Sequence, residues 1–239
     1  MALLSWRKGK VIRIEDFTPN TRRFFVEVSD TPSFDFIPGQ FVTLDLPIHE
    51  KSNKRVRSYS IASWPDGGNV FELLVVLAKG GVGTTYLFNE IKVGSELTFR
   101  GAQGVFTLPK KLDNDIFFIC TGTGVAPFRS MINYLYLHTI PFKNIYLVFG
   151  ARTKEDILYY DELKELEKKL PNFHYHPTLS REKWDGHIGY VHPVYEELCK
   201  DRQEAVFYLC GWKNMIDDAK KKIVEMGYPG KAIHLELYG

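Results

Sequence analysis

From Lys10 to about Lys111 the chain alternates short apolar runs with turn residues, and no stretch carries a helical period. Residues 11–14, 21–28, 40–46, 56–62, 70–77 and 96–99 read as strands. Pro19-Asn20, Asp30-Thr31-Pro32, Pro38-Gly39 and Asp66-Gly67-Gly68 punctuate them. Six strands with little helix predict a small antiparallel β-barrel. After Asp113-Asn114-Asp115 the rhythm changes. Residues 116–120 form a continuous apolar run, the pattern of a strand buried on both faces of a parallel sheet. Helices are predicted over 127–138, 156–169, 193–199 and 213–226, and further strands over 144–149, 173–176, 205–210 and 232–237. Such alternation predicts a doubly wound α/β sheet with right-handed crossovers. The expected fold class is therefore two-domain: an N-terminal six-stranded antiparallel β-barrel over residues 1–112, followed by a doubly wound α/β domain over 113–239.

Composition narrows the function classes. The 239 residues suffice for two domains with proper cores, and 44% hydrophobic with 25% charged residues describes a globular chain. A net charge of +2 makes no case for nucleic acid. No apolar run reaches membrane-spanning length and the first residues are too short for a signal peptide, so no membrane and a cytoplasmic location are expected. A monomer is the expectation for its assembly, although the sequence leaves the oligomeric state open. Cys120, Cys199 and Cys210 are widely separated, without the close spacings of a zinc or iron–sulfur site, so no metal is expected.

The chemistry gathers in a few segments. In Arg57-Ser58-Tyr59-Ser60 the strand period puts Arg57 and Tyr59 on one face and the two serines on the other. A fixed cation and a ring two residues apart suit a flat anionic ligand such as a flavin nucleotide. Exposed strand decoration is the other reading. Gly80-Gly81-Val82-Gly83-Thr84 leads into a short predicted helix over 85–89, where exposed amides favour a diphosphate; a glycine-rich hairpin turn is the alternative. Gly122-Thr123-Gly124-Val125-Ala126-Pro127 joins the first parallel strand to its helix, the place where such sheets take a dinucleotide pyrophosphate. The second strand ends in Gly150-Ala151-Arg152 without the acid that holds NAD ribose hydroxyls. Arg152, with Ser180 and Arg181 after the third strand, can pair with a 2′-phosphate, which favours NADPH and leaves NADH open. Cys210-Gly211, with Met215 four residues on, joins another strand to a helix; a buried thiol at a strand end is the alternative reading of Cys210.

In their order and separations these segments, closing with Glu236-Leu237-Tyr238, resemble the ferredoxin–NADP(+) reductase family over about Trp6 to Tyr238. The resemblance implies FAD on the barrel, held by Arg57, Ser58, Tyr59, Ser60 and residues 80–84, and a nicotinamide dinucleotide on the second domain, with its pyrophosphate at 122–124. It implies that Cys210 lies beside the nicotinamide in a C-G-x-x-x-M motif, Glu236 near the reacting rings, and Tyr238 over the flavin, with Ser60 completing the catalytic set. Three departures stand out: Thr84 replaces the usual serine, Gly101-Ala102-Gln103-Gly104 lacks the proline of the family's turn, and Gly239 follows the terminal tyrosine. The implied activity is hydride transfer in a cleft between domains, then release of single electrons to an acidic ferredoxin or flavodoxin; the cluster Lys51, Lys54, Arg55 and Arg57 offers such a protein a docking surface, and a solvated loop is the equal alternative reading of that cluster. The alternatives are an NADH-dependent oxygenase reductase, which the run over 184–191 also resembles, and a non-catalytic electron-transfer or nucleotide-sensing subunit.

Overall fold

The computed structural model describes residues 4–238, which divide into two units: residues 4–107 with 129–134, and residues 108–128 with 135–238. Among the described residues no helix is long and apolar enough to cross a membrane.

The first unit carries strands β1 (Arg7–Thr18), β2 (Thr21–Val28), β3 (Phe41–Asp45), β4 (Val56–Ser60), β5 (Val70–Val76) and β6 (Glu96–Gln103), with helix α1 (Val82–Asn89) between the last two. All pairs are antiparallel, in the order β4-β3-β6-β1-β2-β5. The two end strands meet through the Ile61–Leu73 bridge, and the Ala62 amide donates to the Glu72 carbonyl at 2.8 Å. The predicted barrel closes there, leaving no free edge at that end of β4. Phe34, Phe71 and Phe99 fill its core with centroids 5.2–5.8 Å apart, and Leu87 buries α1 in the same cluster. Glu72, almost wholly buried, accepts from Arg23 Nε at 2.7 Å and from Arg129 Nη1 at 2.9 Å, so its charge is met from two sides.

The second unit alternates β7 (Asp115–Thr121), α2 (Ala126–Leu137, of which residues 129–134 fall in the first unit), β8 (Asn144–Ala151), α3 (Tyr160–Lys169), β9 (Phe173–Leu179), β10 (His187–Ile188), α4 (Val191–Leu198), β11 (Ala205–Trp212), α5 (Lys213–Glu225) and β12 (Ile233–Tyr238). The strands are all parallel, ordered β10-β9-β8-β7-β11-β12. The chain steps outward from β7 to β10 and returns to β11 on the other side of β7, which makes β7/β11 the switch point of a doubly wound sheet. Residues 116–120 are 0–1% exposed, as a strand covered on both faces requires.

Several boundaries differ from the sequence reading. β1 is far longer than residues 11–14, because its flanks pair with β2 and β6 although their side chains are polar. The segment Gly101-Ala102-Gln103, expected as a turn, ends β6, where Gln103 pairs with Phe41. Helix α3 begins at Tyr160 because Tyr159 takes left-handed φ of 56°, so the predicted start at 156 is a separate short turn capped by Thr153.

Candidate functional site

In the first unit β4 is registered against β3 so that Arg57 faces Leu44 and Tyr59 faces Val42 across the ladder. Tyr59 packs on the barrel core, and burial pushes its hydroxyl pKa up to about 12 although the neighbouring Arg57 pulls it down. Arg57 Nη1 donates to the carbonyls of Lys54 at 3.0 Å and Val56 at 2.7 Å, which fixes the guanidinium before any ligand arrives. Ser58 is exposed, its hydroxyl 3.1 Å from that of Thr43, while Ser60 is buried.

The glycine loop comes to the same place. Gly80 turns the chain at φ +75°, Gly81 caps α1, and the helix starts at Val82 rather than at Thr85. Helix geometry leaves the amides of Val82, Gly83 and Thr84 without partners inside α1. The Thr84 hydroxyl accepts from the Ala78 amide at 3.1 Å and donates to the Gly81 carbonyl at 3.0 Å, so it shapes the loop. A methyl on Gly83 would stand 3.1 Å from Arg57 Cγ and 3.3 Å from its Nε: the arginine stem lies along the first helical turn. Ile48, His49, Lys54, Arg57 and Val82 line a cavity of about 310 Å3 there. Two cations and a helix start on one cavity have the chemistry of a diphosphate cradle. His49 and Ile48 were not singled out in the sequence, since nothing in their spacing ties them to Arg57.

In the second unit β7 runs into a turn over Gly122–Val125 and then α2, with Ala126 buried and Pro127 in the first helical turn, where a missing N–H costs nothing. A methyl on Gly124 would fall 2.3 Å from the Cys210 carbonyl oxygen, and one on Gly211, at φ +136°, 2.5 Å from Thr121 Oγ1. Glycine lets the ends of β7 and β11 close on each other, and the Trp212 amide donates to Thr121 Oγ1 at 3.2 Å. Gly122, at φ +53°, faces open space, so Gly122 and Thr123 offer a small, accessible turn beside that junction.

At the ends of β8 and β9 the Arg181 amide donates to the Arg152 carbonyl at 2.9 Å and the Ser180 amide to the Ala151 carbonyl at 3.0 Å. Both arginines are exposed, so two guanidiniums and a hydroxyl share one corner of the sheet. Cys210 is fully buried and pairs with Glu236 in the β11/β12 ladder, as Trp212 does with Tyr238. Burial, reinforced by the Glu236 charge, pushes the Cys210 thiol well up, while a hydrogen bond with the Tyr238 side chain acts the other way. Cys210, Glu236 and Tyr238 are thus brought together. Met215 instead packs in the apolar core of α5 with Ile216 and Ala219.

Residues 8–108 match the oxidoreductase FAD-binding domain family and residues 118–221 the oxidoreductase NAD-binding domain family. Ferredoxin–NADP reductase B of Sorangium cellulosum is 34% identical over 97% of both chains. The chain belongs to the ferredoxin–NADP(+) reductase family. Phenol hydroxylase P5 protein of Acinetobacter pittii is 31% identical to this reductase over 97% of the chain, which spans 65% of that relative's length. A solved cytochrome P450 reductase of Amycolatopsis superposes with a TM-score of 0.86 at 25% identity, covering 99% of the reductase and 71% of that chain. The reductase is an oxidoreductase that uses FAD and a pyridine nucleotide. Its residues fit both groups. The cavity of Arg57, Lys54 and Val82 has the cations and the helix start that suit a diphosphate, and the turn at Gly122 has the open space that suits a pyrophosphate.

Proposed function

We propose that this reductase takes electrons from NADPH and passes them through FAD to a small acidic carrier protein of ferredoxin or flavodoxin type, with FAD held by residues 1–112 and NADPH by 113–239. FAD, when bound, supplies the chemistry that side chains lack: it accepts a hydride and gives up electrons one at a time. The chain's own part is binding and orientation. Arg57, the α1 start and Tyr59 would hold the flavin nucleotide by charge and by stacking, with Tyr238 over the flavin; Cys210 would lie beside the nicotinamide, with Glu236, its partner in the β11/β12 ladder, near the reacting rings.

The observation that carries the choice of NADPH is the backbone pairing of Arg152 with Arg181, which sets two exposed guanidiniums and Ser180 at the end of β8 and β9. A dianionic 2′-phosphate is matched by that arrangement, whereas ribose hydroxyls call for an acid. The basic run Lys51, Lys54, Arg55 and Arg57 supports an acidic partner at the flavin end. A second reading, an NADH-dependent reductase serving an oxygenase, is favoured by the likeness to the phenol hydroxylase P5 protein. Anaerobic addition of NADPH and then NADH to the purified yellow protein separates them. Faster bleaching by NADPH supports the first reading, faster bleaching by NADH the second, and a colourless protein that takes up no FAD overturns both.

A further inference from the structure

At the opposite end of the second sheet from Cys210 and Trp212, the start of β11, the start of β12 and the turn after α5 enclose a cavity of about 570 Å3. That volume lies within the roughly 300–1,000 Å3 of sites that take small organic molecules. Ala205, in its wall, stands at the far end of the eight-residue β11 from Trp212, about 23 Å away at strand rise. The cavity is therefore no part of the site assigned to the nucleotide.

Its walls divide by chemistry. Met226, Tyr228 and Pro229 give an apolar side, with the Tyr228 ring held edge-on to Phe207 at 4.8 Å. Arg202, Lys231 and Glu204 give a charged side. Arg202 takes left-handed φ of 52°, and its amide donates to the Cys199 carbonyl at 2.9 Å. A methyl on Gly227 would stand 3.9 Å from Arg202 Nη1, which places the guanidinium over the turn that carries Tyr228. The Tyr228 hydroxyl donates to the Gln203 carbonyl at 3.1 Å and Gln203 Nε2 to the Leu198 carbonyl at 2.8 Å, so the two sides are tied together before any ligand arrives. Lys231 sits in the single turn Gly230–Ala232, closed by the Ala232 amide on the Pro229 carbonyl at 2.9 Å.

Among the described residues neither Arg202 nor Lys231 has a carboxylate partner, although Glu204 lines the same cavity. Other lysines of this unit do pair: Lys200 with Glu197 and Lys222 with Glu196, each at 2.7 Å. Two unpaired cations against one carboxylate leave a single excess positive charge, which matches a monoanion better than a dianion. The planar fork of an arginine takes a carboxylate through two parallel hydrogen bonds, and the apolar side suits a ring attached to that carboxylate. We propose that this cavity binds a small aromatic carboxylate, its carboxyl group on Arg202 and Lys231 and its ring against Met226, Tyr228 and Pro229.

The test adds benzoate to the isotope-labelled, FAD-loaded reductase and follows amide shifts by NMR. The Gly227 and Ala232 amides should shift saturably, and the dissociation constant should rise about tenfold or more in Arg202→Asn, which loses a charge-assisted contact. Arg202 is exposed and asparagine accepts left-handed backbone readily, so that variant keeps the fold. Lys231→Gln, at a second exposed position, should also weaken binding, while Lys200→Gln should bind as the parent does. Inorganic phosphate and benzylamine should each bind more weakly than benzoate. The site is overturned by the absence of saturable shifts, by shifts that leave Gly227 and Ala232 unmoved, or by undiminished binding in Arg202→Asn. An equal loss in Lys200→Gln, or phosphate or benzylamine binding as tightly as benzoate, overturns it as well.

Discussion

Replacing Gly124 by alanine tests the junction on which the nucleotide half depends. The new methyl would sit 2.3 Å from the Cys210 carbonyl oxygen, 2.7 Å from its carbon and 2.9 Å from the Gly211 nitrogen. Comfortable contacts lie at about 3.5–4 Å, so the backbone of β11 or the turn must retreat by about 1 Å. Neither can swing away as a side chain would, because β11 is a central strand and the turn is tied to its neighbour β7 on one side and to α2 on the other. Overpacking of this kind costs about 1–3 kcal/mol, and contact with backbone places Gly124→Ala at the upper end. At roughly 2–4 °C per kcal/mol for a chain of this size, the melting temperature should fall by about 6–12 °C in scanning calorimetry at fixed FAD. Gly122→Ala is the matched control. Its methyl meets nothing within 4 Å, so only the left-handed backbone is penalised, by about 1–2 kcal/mol. That methyl projects into the open space assigned to the pyrophosphate, so Gly122→Ala should raise the KM for NADPH more than its modest melting shift implies. The reasoning fails if Gly124→Ala melts within about a degree of the parent and keeps its nucleotide affinity.

Other consequences are equally open to measurement. On the proposed role of Arg57, Arg57→Ala removes a charge-assisted contact to the flavin phosphate worth about 1.5–3 kcal/mol, so FAD should dissociate about 10–150-fold more readily; unchanged flavin content in equilibrium dialysis counts against that role. Arg181→Ala should raise the KM for NADPH and leave that for NADH nearly unchanged, and equal effects on both would remove the 2′-phosphate argument. Glu72→Gln leaves Arg23 its contact with Glu15 at 2.7 Å but takes the carboxylate from the buried Arg129, and should cost about 3–5 kcal/mol in denaturant unfolding. A loss under about 1 kcal/mol would mean that the charge is met in another way. Burial holds the His192 pKa below its ordinary value, so the unfolded chain binds the proton first. Its contribution to stability is therefore complete above about pH 6.5 and falls away as pH drops below it. His192→Gln should flatten that part of the acid limb in urea titrations, and an unaltered slope would exclude the residue as its source.

The sequence carried the architecture well because its strongest signals were also its most buried residues. The run over 116–120 admits no reading but a covered strand, and every residue in it lies in the core. Signals weakened where pairing rather than burial decides. The ends of β1, Arg7 to Lys10 and Glu15 to Thr18, carry a single apolar residue, Phe17, and become a strand only because β2 and β6 lie alongside. Two-residue β10 is too short to show any period. The early start of α1 was hidden because Gly81 and Gly83 read as loop, although Gly81 is its cap and Gly83 is held in the helix by the need to clear Arg57. The approach of Arg57 to Gly83, and of Arg129 to Glu72 57 residues away, depends on long-range packing with no local trace.

The burial of all three cysteines bears on survival as well as on packing. A flavoprotein that meets oxygen in place of its carrier yields peroxide, and peroxide attacks exposed thiolates first. Cys120, Cys199 and Cys210 are each 0–1% exposed, and burial pushes all three thiols above their ordinary pKa, that of Cys199 to about 12. The three thiols are thus held protonated and out of a peroxide's reach, and the reductase should outlast repeated cycles of uncoupled turnover without a thiol reductant.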